Sequence, residues 1–145
     1  MSKITPEIIA KLKKIVGEKY VYTDPDKLDP YSHDEVTDPH YMKAAEVVVL
    51  PATTEEVSKV VKLCYDNDLN IIPRAAGTGL AAGAVATFGG VIISIERMNK
   101  ILEIDKDNMV CVSEAGVTTS VLQDAVQKEG LFYGGDPCSG DSCFI

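Results

Sequence analysis

The chain has 145 residues, of which 46% are apolar and 25% charged, and its formal net charge is −8. This length and composition are those of one ordinary globular domain. The acidic balance repels a phosphate backbone, so a nucleic-acid partner is not expected. No apolar run is long enough to span a membrane, and residues 1–7 lack the apolar core of a signal peptide. We therefore expect a cytoplasmic protein. Peripheral association with the inner membrane is the alternative.

The first predicted element is a helix that begins at residue 6. Thr5 suits an N-cap and Pro6 the first helical position, and Gly17 ends the apolar stripe formed by Ile8, Leu12, Ile15 and Val16. The stretch from Tyr20 to Lys43 is polar and rich in Asp, Pro and Tyr. We interpret it as an irregular connection, so residues 1–43 form an N-terminal helix and linker. Its two histidines lack the i, i+4 spacing of a helical metal site, and no metal is expected.

A β-α-β pattern begins after residue 44. The run Val47 to Leu50 predicts a strand buried on both faces. Thr53 and Glu56 form a capping box, and the helix that follows has an apolar stripe of Val57, Val60, Val61 and Cys64. Ile71-Ile72-Pro73 predicts a second strand, parallel to the first.

The remaining elements complete a mixed α/β fold. Strands are predicted at residues 91–95, 101–104 and 109–112, and Asp105-Lys106-Asp107-Asn108 joins the last two. A helix from about Thr119 is predicted to bury Leu122, Ala125 and Val126 and to end at Gly130. The expected fold class is therefore α/β, with a small parallel or mixed sheet flanked by helices.

The segment with the clearest chemistry follows the predicted strand at 71–73 and reads Pro-Arg-Ala-Ala-Gly-Thr-Gly-Leu-Ala-Ala-Gly from residue 73 to 83. Small side chains let backbone amides converge on an anion. Thr78 adds a hydroxyl donor and Arg74 a positive charge, a combination suitable for a diphosphate. A tight turn without a ligand is the alternative. A nicotinamide fingerprint ranks lower, because Phe88-Gly89-Gly90 interrupts the long helix that this motif needs.

Several blocks of the sequence occur in the order of a known family. They are residues 49–57, 72–80, 94–101, 114–117 and 136–143. On these blocks the chain resembles the PCMH-type FAD-binding domain of the vanillyl-alcohol-oxidase family, in the branch of D-lactate dehydrogenases and glycolate oxidase flavoprotein subunits. The resemblance implies that residues 44–145 are the N-terminal portion of such a domain, truncated before its second half and its cap domain.

The resemblance also implies which residues contact FAD. Backbone amides of the loop would hold the pyrophosphate, and the segment after residue 135 would border the flavin ring. The implied set is Pro73, Arg74, Ala75, Ala76, Gly77, Thr78, Gly79, Leu80 and Gly83 for the pyrophosphate, and Asp136, Pro137, Ser139, Ser142 and Cys143 for the ring. Thr78 stands where some relatives attach flavin through histidine, so non-covalent FAD is expected. We interpret Cys143 as a packed thiol.

For the parent protein, the resemblance implies oxidation of a small 2-hydroxy acid such as D-lactate or glycolate. Electrons would pass to an electron-transfer flavoprotein, an iron–sulfur subunit or a quinone, and no residue of this chain is assigned a catalytic role. The alternatives are a non-redox nucleotide- or phosphate-binding module and, with less support, an NAD(P)-dependent dehydrogenase. We also expect weak FAD retention and self-association, because apolar surface meant for absent parts stays exposed.

Overall fold

Helices and strands alternate along the chain in the computed structural model, which describes residues 4–36 and 38–145. Residues 1–3, part of the stretch that lacks a signal-peptide core, and Thr37 of the predicted linker lie outside the described residues. The elements are α1 (Pro6–Val16), β1 (Val21–Tyr22), α2 (Pro25–Leu28), β2 (Val47–Val49), α3 (Thr54–Asp66), β3 (Ile71–Arg74), β4 (Val91–Ser94), β5 (Ile101–Asp105), β6 (Val110–Ser113) and α4 (Thr119–Lys128). Short 3-10 helices occupy Glu18–Tyr20, Asp29–Tyr31 and Pro39–Tyr41. None of the described helices combines the length and the apolar character that a membrane span requires.

A four-stranded mixed sheet has the order β1-β2-β4-β3. Strands β2 and β3 both pair parallel with β4, while β1 pairs antiparallel with β2. The predicted parallel orientation of β2 and β3 is confirmed, but β4 lies between them. The carboxyl ends of β2, β4 and β3 therefore meet at one edge of the sheet, where ligands bind in open α/β sheets.

Apolar side chains cover both faces of this sheet. On one face, α1 and α3 pack through Ile8, Leu12, Val60 and Cys64 against alternate residues of β2 and β4. The opposite face is covered by Leu28 of α2 and by residues from the connections, namely Ala45, Leu50 and Ala86. The stripe predicted for α3 is narrower than expected, because Val57 is half-buried and Val61 is exposed.

The caps predicted for the helices are present. Thr5 accepts a hydrogen bond from the Ile8 amide, and Thr53 accepts one from the Glu56 amide. Glu56 reaches back to the Ala52 amide at 2.7 Å, which completes a capping box one residue earlier than the usual form. Helix α4 ends at Lys128, and Gly130, two residues later, has a φ of +79°. The sequence therefore fixes these boundaries through local hydrogen bonds.

The β5–β6 hairpin and α4 form a third apolar cluster around Val117, Leu122 and Val126. Ala125, predicted to be buried with them, is half-buried. The hairpin joins the predicted strands antiparallel, as expected from their Asp-Lys-Asp-Asn connection. Gly116 links this unit to the connection that follows β4, because its amide donates to the Met98 carbonyl at 2.8 Å.

The connection expected to be irregular contains ordered elements. Val21–Tyr22 forms β1 and pairs with Val48 and Val49 of β2. The interpretation of residues 20–43 as wholly irregular was therefore wrong. A two-residue strand is too short to show a periodic pattern. It forms a strand only because it pairs with β2 at the edge of the sheet.

Candidate functional site

A loop of small residues follows β3 at the carboxyl edge of the sheet. We call residues 75–84 the small-residue loop. Within the part of the chain that the structure describes, none of its backbone amides, from Ala75 to Ala84, donates a hydrogen bond to a protein group. Backbone donors are normally paired within a fold, so a continuous row without partners requires solvent or a ligand. The Thr78 hydroxyl likewise has no partner among the described residues.

The Arg74 guanidinium lies beneath this loop and bonds three carbonyls. Nη1 donates to the His33 carbonyl at 2.9 Å and to the Ala84 carbonyl at 3.2 Å, and Nη2 donates to the Pro30 carbonyl at 3.1 Å. The side chain is only 7% exposed. Through these bonds, Arg74 connects the 30–33 segment with the end of the small-residue loop.

Gly77 permits this arrangement. Its φ is +76°, a conformation that favours glycine, and a Cβ built on it would lie 2.3 Å from Arg74 Nη2. The loop backbone at Gly77 therefore runs directly over the guanidinium. Ala82 also has a positive φ, of 56°.

Polar groups around Arg74 set the electrostatics of this edge. The guanidinium carbon lies 5.4 Å from the Tyr31 ring centroid, and the Tyr31 hydroxyl donates to Glu96 Oε1 at 2.9 Å. Burial and the bond to Glu96 raise the pKa of Tyr31. Burial lowers the pKa of Arg74, an effect that Asp34 and Glu96 oppose at longer range. Arginine stays protonated under such conditions, so a buried cation lies below the loop.

Two buried oxygens in this region have unused hydrogen-bonding capacity. Asp34 Oδ2 and Ser94 Oγ have no partner among the described residues, and their residues are 5% and 1% exposed. Ser94 is the register partner of Arg74 at the ends of β4 and β3. Asp34 is followed by Glu35, whose amide donates to the Gly79 carbonyl of the loop at 3.0 Å.

The sequence-predicted loop residues differ in exposure. Pro73, Ala75, Gly79, Leu80 and Gly83 are exposed, and Leu80 is 76% exposed. Ala76 and Thr78 are half-buried, and Gly77 and Arg74 are buried. The outer surface of the loop is therefore open to a ligand, while its inner side rests on Arg74.

The second predicted segment, residues 136–143, docks on the start of α4. The Thr119 amide donates to the Cys143 carbonyl at 3.0 Å, and the Ser120 amide donates to the Gly140 carbonyl at 3.0 Å. Cys143 Sγ lies 3.0 Å from Thr119 Oγ1. The Ser139 carbonyl accepts from the amides of Ser142 and Cys143, which closes a turn. These contacts give the segment a defined conformation.

The two predicted segments bond to different parts of the fold. Among residues 4–36 and 38–145, no hydrogen bond joins the small-residue loop to residues 136–143, in which Asp136 and Pro137 are exposed. No set of three or more His, Cys, Asp or Glu side chains in those ranges is placed to hold a metal ion. Each segment is therefore held in place by its own hydrogen bonds.

Sequence reasoning missed the groups that support the loop. Pro30, His33, Asp34 and Ser94 were not among the predicted site residues. The first two contact Arg74 across 44 and 41 positions of sequence, through carbonyl oxygens that every residue type carries. No local pattern could therefore reveal them.

The small-residue loop fits a diphosphate on its own chemistry. Unpaired amides supply donors, the absent Cβ of Gly77 allows close packing of the backbone, and the buried Arg74 supplies positive charge. No long helix begins directly after the glycines, since the next described element is β4. This arrangement differs from the dinucleotide fingerprint, in which a helix follows the loop.

The sequence matches a protein family over most of its length. The family described as "FAD binding domain" matches residues 45–145. The chain belongs to this family. FAD is the cofactor of such domains, which confirms the cofactor expected from the sequence and leaves the nicotinamide interpretation without support.

Curated relatives are named as dehydrogenases and as an oxidase subunit. The chain is 44% identical over 137 residues to a D-lactate dehydrogenase of Anaerostipes hadrus, covering 94% of this chain and 28% of that protein. It is 38% identical over 109 residues to glycolate oxidase subunit GlcD of Bacillus subtilis (strain 168), covering 75% and 23%. It is 34% identical over 140 residues to a D-2-hydroxyglutarate dehydrogenase of Stutzerimonas stutzeri (strain A1501), covering 97% and 30%. The chain thus spans less than a third of each relative's length.

Solved structures confirm the fold. An alkyldihydroxyacetonephosphate synthase superposes with a TM-score of 0.86 at 25% identity, covering 99% of this chain and 28% of that one. A p-cresol methylhydroxylase with substrate bound superposes with a TM-score of 0.76 at 28% identity, covering 86% and 25%. The predicted mixed α/β, PCMH-type fold is therefore confirmed. The chain is an FAD-binding domain related to FAD-linked oxidoreductases.

Proposed function

We propose that the small-residue loop binds the FAD diphosphate in an oxidoreductase that acts on a small 2-hydroxy acid. The observation that carries this proposal is the row of backbone amides from Ala75 to Ala84 without a protein partner. A diphosphate presents several anionic acceptor oxygens, and a row of amides satisfies them without side-chain specificity.

The residues of the loop have distinct roles in this proposal. The amides of Ala75 to Gly79 donate to the phosphate oxygens, and the Thr78 hydroxyl adds a donor. Pro73 and Arg74 position the start of the loop, and Leu80 and Gly83 lie at its outer end. FAD held there would supply the hydride-accepting chemistry, and the chain's own residues would bind and orient the cofactor.

The segment 136–143 has a proposed role beside the flavin ring. Asp136, Pro137, Ser139 and Ser142 would line the ring, held in place by the docking of their segment on α4. Cys143 is engaged with Thr119, since the two side chains lie 3.0 Å apart. Together with threonine at position 78, this contact favours non-covalent FAD.

The names of the relatives support the substrate class. They are a D-lactate dehydrogenase, a glycolate oxidase subunit and a D-2-hydroxyglutarate dehydrogenase. Each named substrate is a 2-hydroxy acid, and we propose D-lactate or glycolate first. The electron acceptor would be an electron-transfer flavoprotein, an iron–sulfur subunit or a quinone. We propose a cytoplasmic location for the protein.

We place the start of the FAD-binding domain at residue 44, after an N-terminal helix and linker. The family match begins at residue 45, which supports this boundary. Helix α1 and strand β1 nevertheless share the core and sheet of the domain, through Leu12 and through the pairing of Val21 with Val49. Residues 1–43 would therefore act as a structural part of the domain.

A visible absorption spectrum tests the proposed function. The protein expressed from its whole gene is mixed with FAD, freed of excess and titrated anaerobically with D-lactate, glycolate and D-2-hydroxyglutarate. We expect flavin bands that bleach with one of the three acids. A protein that retains no FAD would leave the non-redox phosphate-binding module as the better account. Retained flavin that no 2-hydroxy acid bleaches would overturn the substrate class alone.

We also propose that the 145-residue chain self-associates through an apolar surface on the hairpin and the α4 region. Exposed apolar side chains occur there on consecutive elements, and Phe132 is 92% exposed. The set is Leu102, Met109, Val110, Val112, Phe132 and Ile145. An apolar patch of this kind favours association. Light scattering that gives the monomer mass at high concentration would contradict this proposal.

A further inference from the structure

Arg74 is a buried cation without an ion-pair partner in the described part of the chain. No carboxylate lies within 4.0 Å of its guanidinium, and Asp34 and Glu96 act on it only at longer range. A buried charge is costly unless hydrogen bonds satisfy it. Here the compensation comes from three carbonyl oxygens, those of Pro30, His33 and Ala84.

These three bonds join segments that are far apart in sequence. Pro30 and His33 belong to the connection before β2, whereas Ala84 ends the small-residue loop. The planar guanidinium presents its donors in a fixed fork, so it holds the carbonyls in one relative geometry. An ammonium group on a flexible stem does not impose that geometry.

The loop backbone at Gly77 is shaped around the same guanidinium. A Cβ at Gly77 would lie 2.3 Å from Nη2 and 2.7 Å from Cζ of Arg74. The guanidinium is also stacked near the Tyr31 ring and is 7% exposed. Little of it remains to contact a ligand on the open side of the loop.

We propose that Arg74 is a positioning residue, which holds the amides of the small-residue loop in their anion-binding conformation and does not itself touch the phosphate. This inference rests on the proposed function and deepens it. It replaces the simpler expectation, that Arg74 supplies a positive charge directly to the diphosphate, with a geometric role that lysine cannot fill.

The distinguishing experiment compares Arg74→Lys with Arg74→Met. Lysine keeps the charge and loses the fork, whereas methionine loses both. We expect both variants to weaken FAD binding by a similar factor, about tenfold or more, because two or three hydrogen bonds that order the loop are lost. Arg97→Lys is the matched control, since Arg97 also bonds a carbonyl, that of Leu50, and lies over the Tyr20 ring, but bonds no residue of the loop. Near-normal affinity in Arg74→Lys with loss in Arg74→Met would overturn the inference.

A double-mutant cycle tests the steric part of the same argument. Gly77→Ala is measured alone and in the Arg74→Met background. The overlap is with the guanidinium, so we expect Gly77→Ala to reduce FAD affinity more in the wild type than in that background. The cost of placing alanine at the positive φ of residue 77 is the same in both backgrounds, so it cancels in the comparison. If Gly77→Ala reduced FAD affinity by the same factor in both backgrounds, the inference that the loop backbone is shaped around Arg74 would be contradicted.

A ligand-free measurement separates this inference from the proposed function. Amide spectra of 15N-labelled Arg74→Lys, recorded without FAD, should differ from the wild type in residues 30–35 and 75–84, while signals from α1 and α3 stay in place. Unchanged signals at 75–84 would overturn the inference even if the wild type binds FAD. Changed signals in a wild type that binds no FAD would support the positioning role and reject the proposed function.

Discussion

Gly116 is the position at which an added methyl group should cost the most in packing. A Cβ there would lie 2.3 Å from the Ile95 carbonyl oxygen and 2.7 Å from that of Met98. Both atoms are backbone, so no side-chain rotation relieves the overlap. The Gly116 amide also donates to Met98 at 2.8 Å. Substitution with alanine should therefore move the hairpin and α4 away from the connection that follows β4.

The expected cost follows from two contributions. Overpacking against a rigid neighbour costs about 1–3 kcal/mol, and loss of the amide hydrogen bond adds about 1 kcal/mol. We therefore expect Gly116→Ala to lower the free energy of unfolding by roughly 2–4 kcal/mol. For a chain of this length, that loss corresponds to a fall in Tm of roughly 5–15 °C.

Urea unfolding followed by circular dichroism measures this change. Gly134→Ala is the matched control, because its Cβ would meet only Phe132 at 3.8 Å, an ordinary contact. Both substitutions restrict the unfolded chain to the same degree. A Gly116→Ala variant as stable as the control would refute the close approach between Gly116 and the carbonyls of Ile95 and Met98.

Other predictions concern protonation, thiol reactivity and capping. Tyr31 has a raised pKa in the folded protein, so its contribution to stability is present below pH about 10 and is lost above it. Tyr31→Phe should flatten the fall of Tm at alkaline pH, and an unchanged profile would contradict this. Burial raises the pKa of Cys64 to about 11. When the native protein is treated with a thiol reagent and its peptides are analysed by mass spectrometry, the exposed Cys138 should therefore be labelled first. Rapid labelling of Cys64 in the native protein would contradict this prediction. Thr53→Ala should cost about 1 kcal/mol of stability in urea, whereas Ser58→Ala, on the exposed face of α3, should cost little.

Local chemistry explains why much of the fold could be predicted. Thr5 and Pro6 at α1, the capping box at α3 and Gly130 after α4 each act through bonds within a few residues. The hairpin was predicted from its polar connection, where Asp105 accepts from the Asn108 amide at 3.0 Å. These signals are complete within the sequence window that carries them.

Long-range pairing explains what could not be predicted. Strand β4 lies in the sheet between β2 and β3, and no local pattern in Val91–Ser94 indicates which strands it pairs with. The partners of Arg74 are main-chain carbonyls more than forty positions away, apart from Ala84. The small-residue loop was recognised by composition, but its support from below became visible only in the fold.

Binding of FAD at the small-residue loop is tested most directly by amide spectra of the 15N-labelled chain during titration. FAD and ADP carry a diphosphate, and riboflavin carries none. We predict that the amides of residues 75–84 shift with FAD and with ADP, up to millimolar concentration because binding by this chain is expected to be weak, and that riboflavin leaves them in place. Loop amides that do not respond to FAD at that concentration, or that respond equally to riboflavin, would contradict the assignment of this loop to the diphosphate.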